Sequence, residues 1–521
     1  NILEDFMNGA ESLVRTLLKG NVNVCFTNPG TSEMHFVAAL DTNHDMRSIL
    51  CLFEGGATGA ADGYYRMKRS PASTLLHLGP GLANGLANLH NAKKANSGIV
   101  NIVGEHAIDH IKLNAPLTSD IEGIARPVSH WVKTSLSSKD IAKDGAEAIA
   151  VSMTAPGQIA TLILPGDTAW NEGGSEVNVN IEPSLNNVSS QEIELAAKKL
   201  KKSKKPMILI GGNALEESNF LNIAKIAEKI GCPIMTDWFN ARIDKGQGRI
   251  NALRIPYVVD KAVSVLKEFD TILIIGAKKP VAFFAYPNKP GILTQESTEF
   301  IELAELSDDI TEVINSLVDI FDANKIVPST ISQPHLPEIP KGQINTTTMG
   351  MVLGALIPEN AIVVDESVTT GREFFAQTAG SRPHTWLNNC GGSIGFGLPL
   401  ATGAAVACPD RKVIALEGDG SAMYTVQSLW TMARENLDIT VLIFANQSYK
   451  ILQGELTNVG VLNPGKAALE MLSLTNPSLN WVSLSKGLGV DAVRVENLES
   501  LVESFKYGLK QKGPYLIEVM I

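Results

Sequence analysis

The stretch from Lys412 to Tyr449 limits the fold of this chain more than any other. An apolar run, Val413-Ile414-Ala415-Leu416, ends in Glu417-Gly418-Asp419-Gly420-Ser421. A helix-like segment follows, and a second apolar run, Thr440-Val441-Leu442-Ile443-Phe444, closes on Ala445-Asn446-Gln447-Ser448. Asp419 and Asn446 are 27 residues apart, the length of one strand–helix–strand crossover. Such crossovers are right-handed and return both strand ends to the same edge of a parallel sheet. That edge then offers one hard cation a carboxylate oxygen from Asp419, an amide oxygen from Asn446 and a backbone carbonyl from Ser448. Mg²⁺ suits the set, because it takes a near-octahedral shell of oxygens and fills the remainder from phosphates and water. Gly418 and Gly420 let the backbone approach a phosphate, and the helix start at Ser421 supplies free N–H groups. Gly-Asp-Gly alone is a common turn. The flanking strands, the crossover length and Asn446 make it a predicted Mg²⁺–diphosphate anchor.

At 521 residues the chain is too long for one ordinary core, so two to four domains are expected. A hydrophobic content of 44 % with 44 Gly and 25 Pro fits a soluble α/β enzyme. The net charge of −11 argues against a nucleic-acid or anionic-membrane surface. There is no apolar span long enough for a bilayer and no signal-peptide pattern at 1–20. Cys25, Cys51, Cys232, Cys390 and Cys408 are scattered and form no CxxC pair, so neither a disulfide framework nor a zinc site is indicated. A cytoplasmic protein is the expectation.

Three segments alternate strand and helix patterns, which predicts an α/β fold of three open, mostly parallel sheets. The first covers 1–180, with strands at Val22–Phe26, Ser48–Phe53, Ser73–Leu78 and Ile99–Val103 and a helix at Gly56–Met67. A polar stretch, Asn171–Val188, reads as a linker. The second segment, 190–335, opens with a Lys-rich helix at Gln191–Ser203. Its strands include Pro206–Ile210, Pro233–Thr236 and Thr271–Ile275. A Pro-rich run from Val327 to Gly342 leads to the third, 343–521, which holds the anchor and ends in the strand Tyr515–Met520.

Gly-Asp-Gly followed one crossover later by Asn446 resembles the cofactor signature of thiamine-diphosphate (ThDP) enzymes. The resemblance runs over nearly the whole chain, to the group containing benzoylformate decarboxylase and acetolactate synthase. It implies pyrimidine-binding, central and diphosphate-binding domains in that order. ThDP is activated when a carboxyl group hydrogen-bonds N1′ of its aminopyrimidine, which calls for a glutamate in an apolar pocket at a strand end. Glu54 fits: it follows Ile49-Leu50-Cys51-Leu52-Phe53, and FEGGATGAADGYYR resembles the family's activating-glutamate motif. A glutamate at a helix start is otherwise explained by the macrodipole.

Other site residues follow from the same resemblance. Thr31, in the turn Asn28-Pro29-Gly30-Thr31-Ser32-Glu33, matches a hydroxyl that contacts the substrate carboxylate; a plain turn with an N-cap is the competing explanation. His77 lies 23 residues after Glu54, where the decarboxylase branch keeps a catalytic histidine. Its competing explanation is a hydrogen-bonded structural histidine. Ile394, in Gly391-Gly392-Ser393-Ile394-Gly395, matches the aliphatic wedge that folds the cofactor into a V. Thr369 and Thr370, ending the strand Val363-Val364-Asp365-Glu366, are expected diphosphate donors together with Gly418, Gly420 and Ser421.

The chain also departs from both branches. Where decarboxylases have a second histidine it carries Phe284, so that the second proton relay is either missing or supplied by Tyr286, and where synthases have a glutamine it reads Gly104-Glu105-His106. His106 and His110 are four residues apart, a spacing that puts two imidazoles on one helical face. Lacking an HExxH glutamate or cysteines, they fit a place facing the cofactor pocket better than a metal site. Ile208–Asn213 is a weak dinucleotide-loop signal without a third glycine. The resemblance therefore implies ThDP- and Mg²⁺-dependent decarboxylation of a 2-oxo acid through an enamine, released as aldehyde or passed to a second carbonyl. It also implies a dimer or homotetramer with sites between subunits, since one cofactor bridges Glu54 and Asp419 of different chains. Three readings stay beside it: acetolactate synthase proper with non-redox FAD, a catalytically retired regulatory subunit, and a nicotinamide dehydrogenase.

Overall fold

The computed structural model describes residues 7–181, 185–251 and 253–521. Residues 1–6, part of the stretch read for a signal peptide, and 182–184 of the expected linker lie outside them. Three sheets form. The first has six parallel strands, in the order Arg47–Leu50, Val24–Asn28, Ala72–Leu76, Ile99–Glu105, Ile159–Pro165, Trp131–Thr134. The second has five: Leu253–Arg254, Ile234–Thr236, Pro206–Ile210, Thr271–Ile275, Glu299–Ala304. The third runs Asp491–Val495, Tyr515–Met520, Ile439–Ala445, Val413–Gly418, Ile362–Glu366, His384–Asn388, Ile243–Lys245. Only its last pairing is antiparallel. The strand making it, Ile243–Lys245, comes from the middle of the chain and ties the second segment to the third sheet.

The strands form where apolar, β-branched runs are buried on both faces, as in Ile159–Pro165 and Ile439–Ala445, whose residues are all buried. The helix Gly397–Ala407 is apolar all round and is buried through Val406, as such a helix must be. It packs on Glu54–Lys68 of the first segment at backbone contact. A methyl group on Gly403 would lie 1.8 Å from the Ala60 carbonyl oxygen, and one on Gly63 would lie 2.1 Å from that of Leu400. These two glycines permit the approach, and one hydrophobic core runs across both segments. The buried Asp62–Arg66 pair, 2.8 Å, adds a polar tie, with Arg66 donating to the carbonyls of Ala241 and Asn388. The Gly211-Gly212 turn has a backbone explanation too: a methyl on Gly211 would meet the Gly276 carbonyl at 2.6 Å.

Among the described residues no helix is long and apolar enough to cross a membrane, and all five cysteines are free.

Candidate active site

The strand Val413–Gly418 gives way at once to a helical turn, Asp419–Ala422, and its neighbour Ile439–Ala445 runs parallel in register, Gly418 opposite Phe444. The two polar tips therefore meet. Asp419 Oδ2 accepts the Gln447 N–H at 2.7 Å and Oδ1 accepts the Gly420 N–H at 2.9 Å, while Asn446 Oδ1 accepts the Ser448 N–H at 3.1 Å. Gln447 takes a left-handed conformation (φ 55°) to turn the loop this tightly. Asp419 is 3 % exposed, and burial pushes its carboxyl up to about 6. A buried carboxylate with no cationic side chain as partner among the described residues, beside an amide oxygen on the next loop, is a donor set that fits a small hard cation.

These tips open on a cavity of about 400 Å³. It brings together the predicted Thr369, Thr370, Ile394, Gly418, Asp419, Gly420, Ser421, Asn446 and Ser448. The wall from the second segment is mostly aromatic, Trp238, Phe239, Tyr257, Phe283 and Phe284, with the Arg254 guanidinium 3.9 Å over the Trp238 ring. Phe284 thus faces the cavity as a hydrocarbon, and Tyr286 is not among the lining residues. Ile394 is held from both sides. Asn389 Oδ1 accepts the N–H groups of Gly391 and Gly392 at 2.9 and 2.8 Å, and Glu366 takes those of Gly395 and Gly397 at 2.6 and 2.7 Å. Val368, in the adjacent loop, has φ 49°, a strained conformation for a β-branched residue that aims the hydroxyl-bearing turn at the cavity.

Glu366 was read only as a neighbour of hydroxyls, and its role as a clamp depends on pairing. In the sheet it lies directly opposite Glu417, both are buried, and burial pushes Glu366 up to about 7 and Glu417 well above 4.5. A raised folded value means the native state holds more protons than the unfolded chain from about pH 4.5 upward, so this pair costs stability as pH rises. Glu417→Gln should therefore raise Tm at neutral pH, on the order of 3 °C, with the gain vanishing in acid. Thermal melts across pH check this; a loss of Tm at neutral pH would contradict it.

Glu54, His77 and Thr31 belong to the carboxyl edge of the first sheet and do not line this cavity. The strand before Glu54 stops at Leu50, earlier than expected, because Phe53 already caps the helix that Glu54 opens. Glu54 Oε2 accepts from Asn84 Nδ2 at 3.0 Å. Gly81 separates Glu54 from His77: a methyl there would lie 3.6 Å from Glu54 Oε1 and 3.3 Å from His77 Cβ. His77 is followed by Leu78 at φ 50°, a strained junction between strand and helix. Its ring packs flat on Gly30, where any Cβ would come within 2.3 Å of the imidazole. The glycine of Asn-Pro-Gly thus serves the histidine as well as the turn. Thr31 is exposed at the head of the short helical turn Thr31–Glu33.

Sequence reasoning overlooked Glu33, which is fully buried. Its Oε2 accepts the Gly30 N–H at 2.7 Å and contacts His77 Nδ1 at 2.8 Å. Burial raises the carboxyl and His77 draws it back. This contact makes Nδ1 the donor and leaves Nε2 as the nitrogen free to serve a ligand. Glu33→Gln should lower turnover about tenfold or more by loosening that orientation, read in steady-state kinetics; an unchanged rate would make Glu33 structural. The rings of His106 and His110 lie 5.2 Å apart, and no group of three or more His, Cys, Asp or Glu among the described residues is placed to hold a metal.

Comparison with known proteins places these two clusters in context. Residues 7–125 match the family described as thiamine pyrophosphate enzyme, N-terminal TPP binding domain, and residues 370–519 match its C-terminal TPP binding domain. The chain is 43 % identical, over 99 % of both chains, to a Mycobacterium tuberculosis protein named "Putative acetolactate synthase large subunit IlvX". It is 27 % identical to the benzoylformate decarboxylase of Pseudomonas aeruginosa, over 96 % of this chain and 97 % of that one. In three dimensions it resembles the thiamine diphosphate-dependent 4-hydroxybenzoylformate decarboxylase of Rhodococcus jostii RHA1, with a TM-score of 0.86 and 22 % identity over 99 % of each chain.

Proposed function

The chain belongs to the thiamine pyrophosphate enzyme family, and on that footing we propose that it decarboxylates a 2-oxo acid with ThDP and Mg²⁺. The observation that carries the reading is the shared cavity: the cation tips, the Gly-Asp-Gly turn, the hydroxyl loop and the wedge come from distant parts of the chain and line one space. Asp419, Asn446 and the Ser448 carbonyl hold Mg²⁺. Gly418, Gly420, Ser421, Thr369 and Thr370 take the diphosphate, and Ile394 sets the bend of the cofactor. Bound there, ThDP supplies a carbon nucleophile and an electron sink for the departing CO₂.

The rest of the work falls to protein groups. Glu54 presents a carboxyl group to the aminopyrimidine. His77, oriented by Glu33, offers Nε2 to the substrate carbonyl, and Thr31 offers a hydroxyl to its carboxylate. The aromatic wall excludes water and strengthens every polar contact inside. Because Glu54 and Asp419 of one chain belong to separate half-sites, the working site joins Glu54, His77 and Thr31 of one subunit to the cavity of another. The smallest active unit is then a dimer with three-domain subunits divided at 1–180, 190–335 and 343–521.

Two product classes compete. The 43 % relative's name favours a synthase, whereas His77 and the aromatic wall favour aldehyde release. Incubation of the Mg²⁺–ThDP protein with pyruvate and with benzoylformate, read by ¹H NMR, separates them. Acetolactate or acetoin from pyruvate identifies a synthase, and flavin absorption then becomes the next observation. Benzaldehyde from benzoylformate identifies a decarboxylase. No CO₂ from either, nor from a wider panel of 2-oxo acids, would overturn the reading.

A further inference from the structure

The carboxyl edge of the first sheet carries an imidazole that the reading above does not use. Spatial order there is Arg47–Leu50, Val24–Asn28, Ala72–Leu76, Ile99–Glu105. The ends of these adjacent strands deliver, in turn, Glu54, the Thr31–Glu33 turn, His77, and Glu105 with His106. Parallel neighbours are about 4.8 Å apart, so His106 leaves the sheet one strand beyond His77. The link is tighter than strand spacing alone implies. Gly104, two residues before His106, packs directly on the Glu33 carboxyl, since a methyl there would lie 1.6 Å from Oε1. The carboxylate that orients His77 is thus wedged against the strand that delivers His106.

His106 is itself held in place. Its backbone N–H donates to Glu105 Oε1 at 2.8 Å, and its ring lies against that of His110, tilted by 51°. Yet its Nε2 is buried and has no hydrogen-bond partner among the described residues. Buried polar atoms are nearly always paired, so an unpaired ring nitrogen beside a candidate catalytic imidazole marks a place for a ligand atom. The titratable groups that act on it are the imidazoles of His110 and His77, with the Glu105 carboxylate on its backbone N–H. Burial and the two neighbouring imidazoles keep His106 below its ordinary range, hence neutral at physiological pH.

We propose that His106 is a second catalytic imidazole, contacting the substrate through Nε2 beside His77. The proposal rests on the ThDP reading. Replacing CO₂ by hydrogen on a 2-oxo acid consumes one proton per turnover, and Phe283 and Phe284 of the wall facing the cavity carry no proton to give. His106 takes that proton from solvent and passes it to the substrate-derived group, returning to neutral; no oxidant or further reactant is involved. His77, whose Nδ1 is committed to Glu33, polarises the carbonyl.

The test compares wild type, His106→Gln and His106→Phe as Mg²⁺–ThDP proteins, with pyruvate and benzoylformate as substrates. Two readouts are taken: turnover, and deuterium exchange at ThDP C2, which depends on Glu54 and not on His106. Turnover is expected to fall about 10²-fold in both variants, while C2 exchange stays at the wild-type rate. In ¹⁵N-histidine-labelled wild type, the His106 ring resonance is expected to move when lactate or mandelate, inert reduced analogues, is added. Unchanged turnover in His106→Gln, or a His106 resonance that ignores both analogues, overturns the proposal. Loss of C2 exchange together with turnover also overturns it, by showing that the variants damage the site. Absence of C2 exchange in wild type would instead refute the ThDP reading.

Discussion

Glu54→Gln protein should lose C2–H exchange of bound ThDP by a factor on the order of 10²–10⁴, the range removed with a general acid–base group. Mg²⁺-dependent cofactor binding should persist. Glutamine has the same shape and can still accept from Asn84 Nδ2, now 3.0 Å from Oε2, so the helix start and its packing against Gly81 are preserved. What disappears is the carboxyl group able to hold a proton toward the aminopyrimidine. The exchange is followed by quenched ¹H NMR in D₂O. A wild-type exchange rate in the variant would remove Glu54 from the chemistry.

The second large effect belongs to Asp419. Asp419→Asn should weaken ThDP binding on the order of 10²-fold and make it indifferent to Mg²⁺, because the only carboxylate of the cation set is gone. The variant's apo fold should stay within about 1 kcal/mol of wild type. The amide oxygen still accepts the Gln447 N–H while the Gly420 N–H loses its acceptor, and this loss is offset because a carboxylate whose burial pushes it up to about 6 is replaced by a neutral group. Titration of ThDP with and without Mg²⁺ reads the first effect and thermal denaturation the second. Tight, Mg²⁺-dependent binding in the variant would place the cation elsewhere.

What the sequence disclosed follows from what is local. Pro206–Ile210, Thr271–Ile275 and Tyr515–Met520 coincide with the observed strands, because continuous apolar runs bounded by polar turns leave little choice. Asp419 and Asn446 were legible together because one crossover connects them. Glu33 was not, since its partner His77 is 44 residues away and becomes its neighbour only through the order of strands. Glu366 escaped for the same reason: its alignment with Glu417 is a matter of register, which no single strand reveals. Val368 and Gln447 at positive φ run against the preference of their own side chains, so only the surrounding loops can impose them. Ile243–Lys245 is three residues long, too short to carry a period, and owes its place to the edge of the third sheet.

Co-expression of differently tagged Glu54→Gln and Asp419→Asn chains, followed by purification of the mixed population, gives the sharpest test of a site shared by two subunits. Each variant alone should be inactive. Random pairing in a two-fold dimer leaves roughly a quarter of the sites with both residues intact, so decarboxylation should return to about that fraction of the wild-type rate. No recovery in hybrids that bind ThDP would mean that Glu54 and Asp419 serve the cofactor within one chain, contrary to the proposed division of the site between subunits.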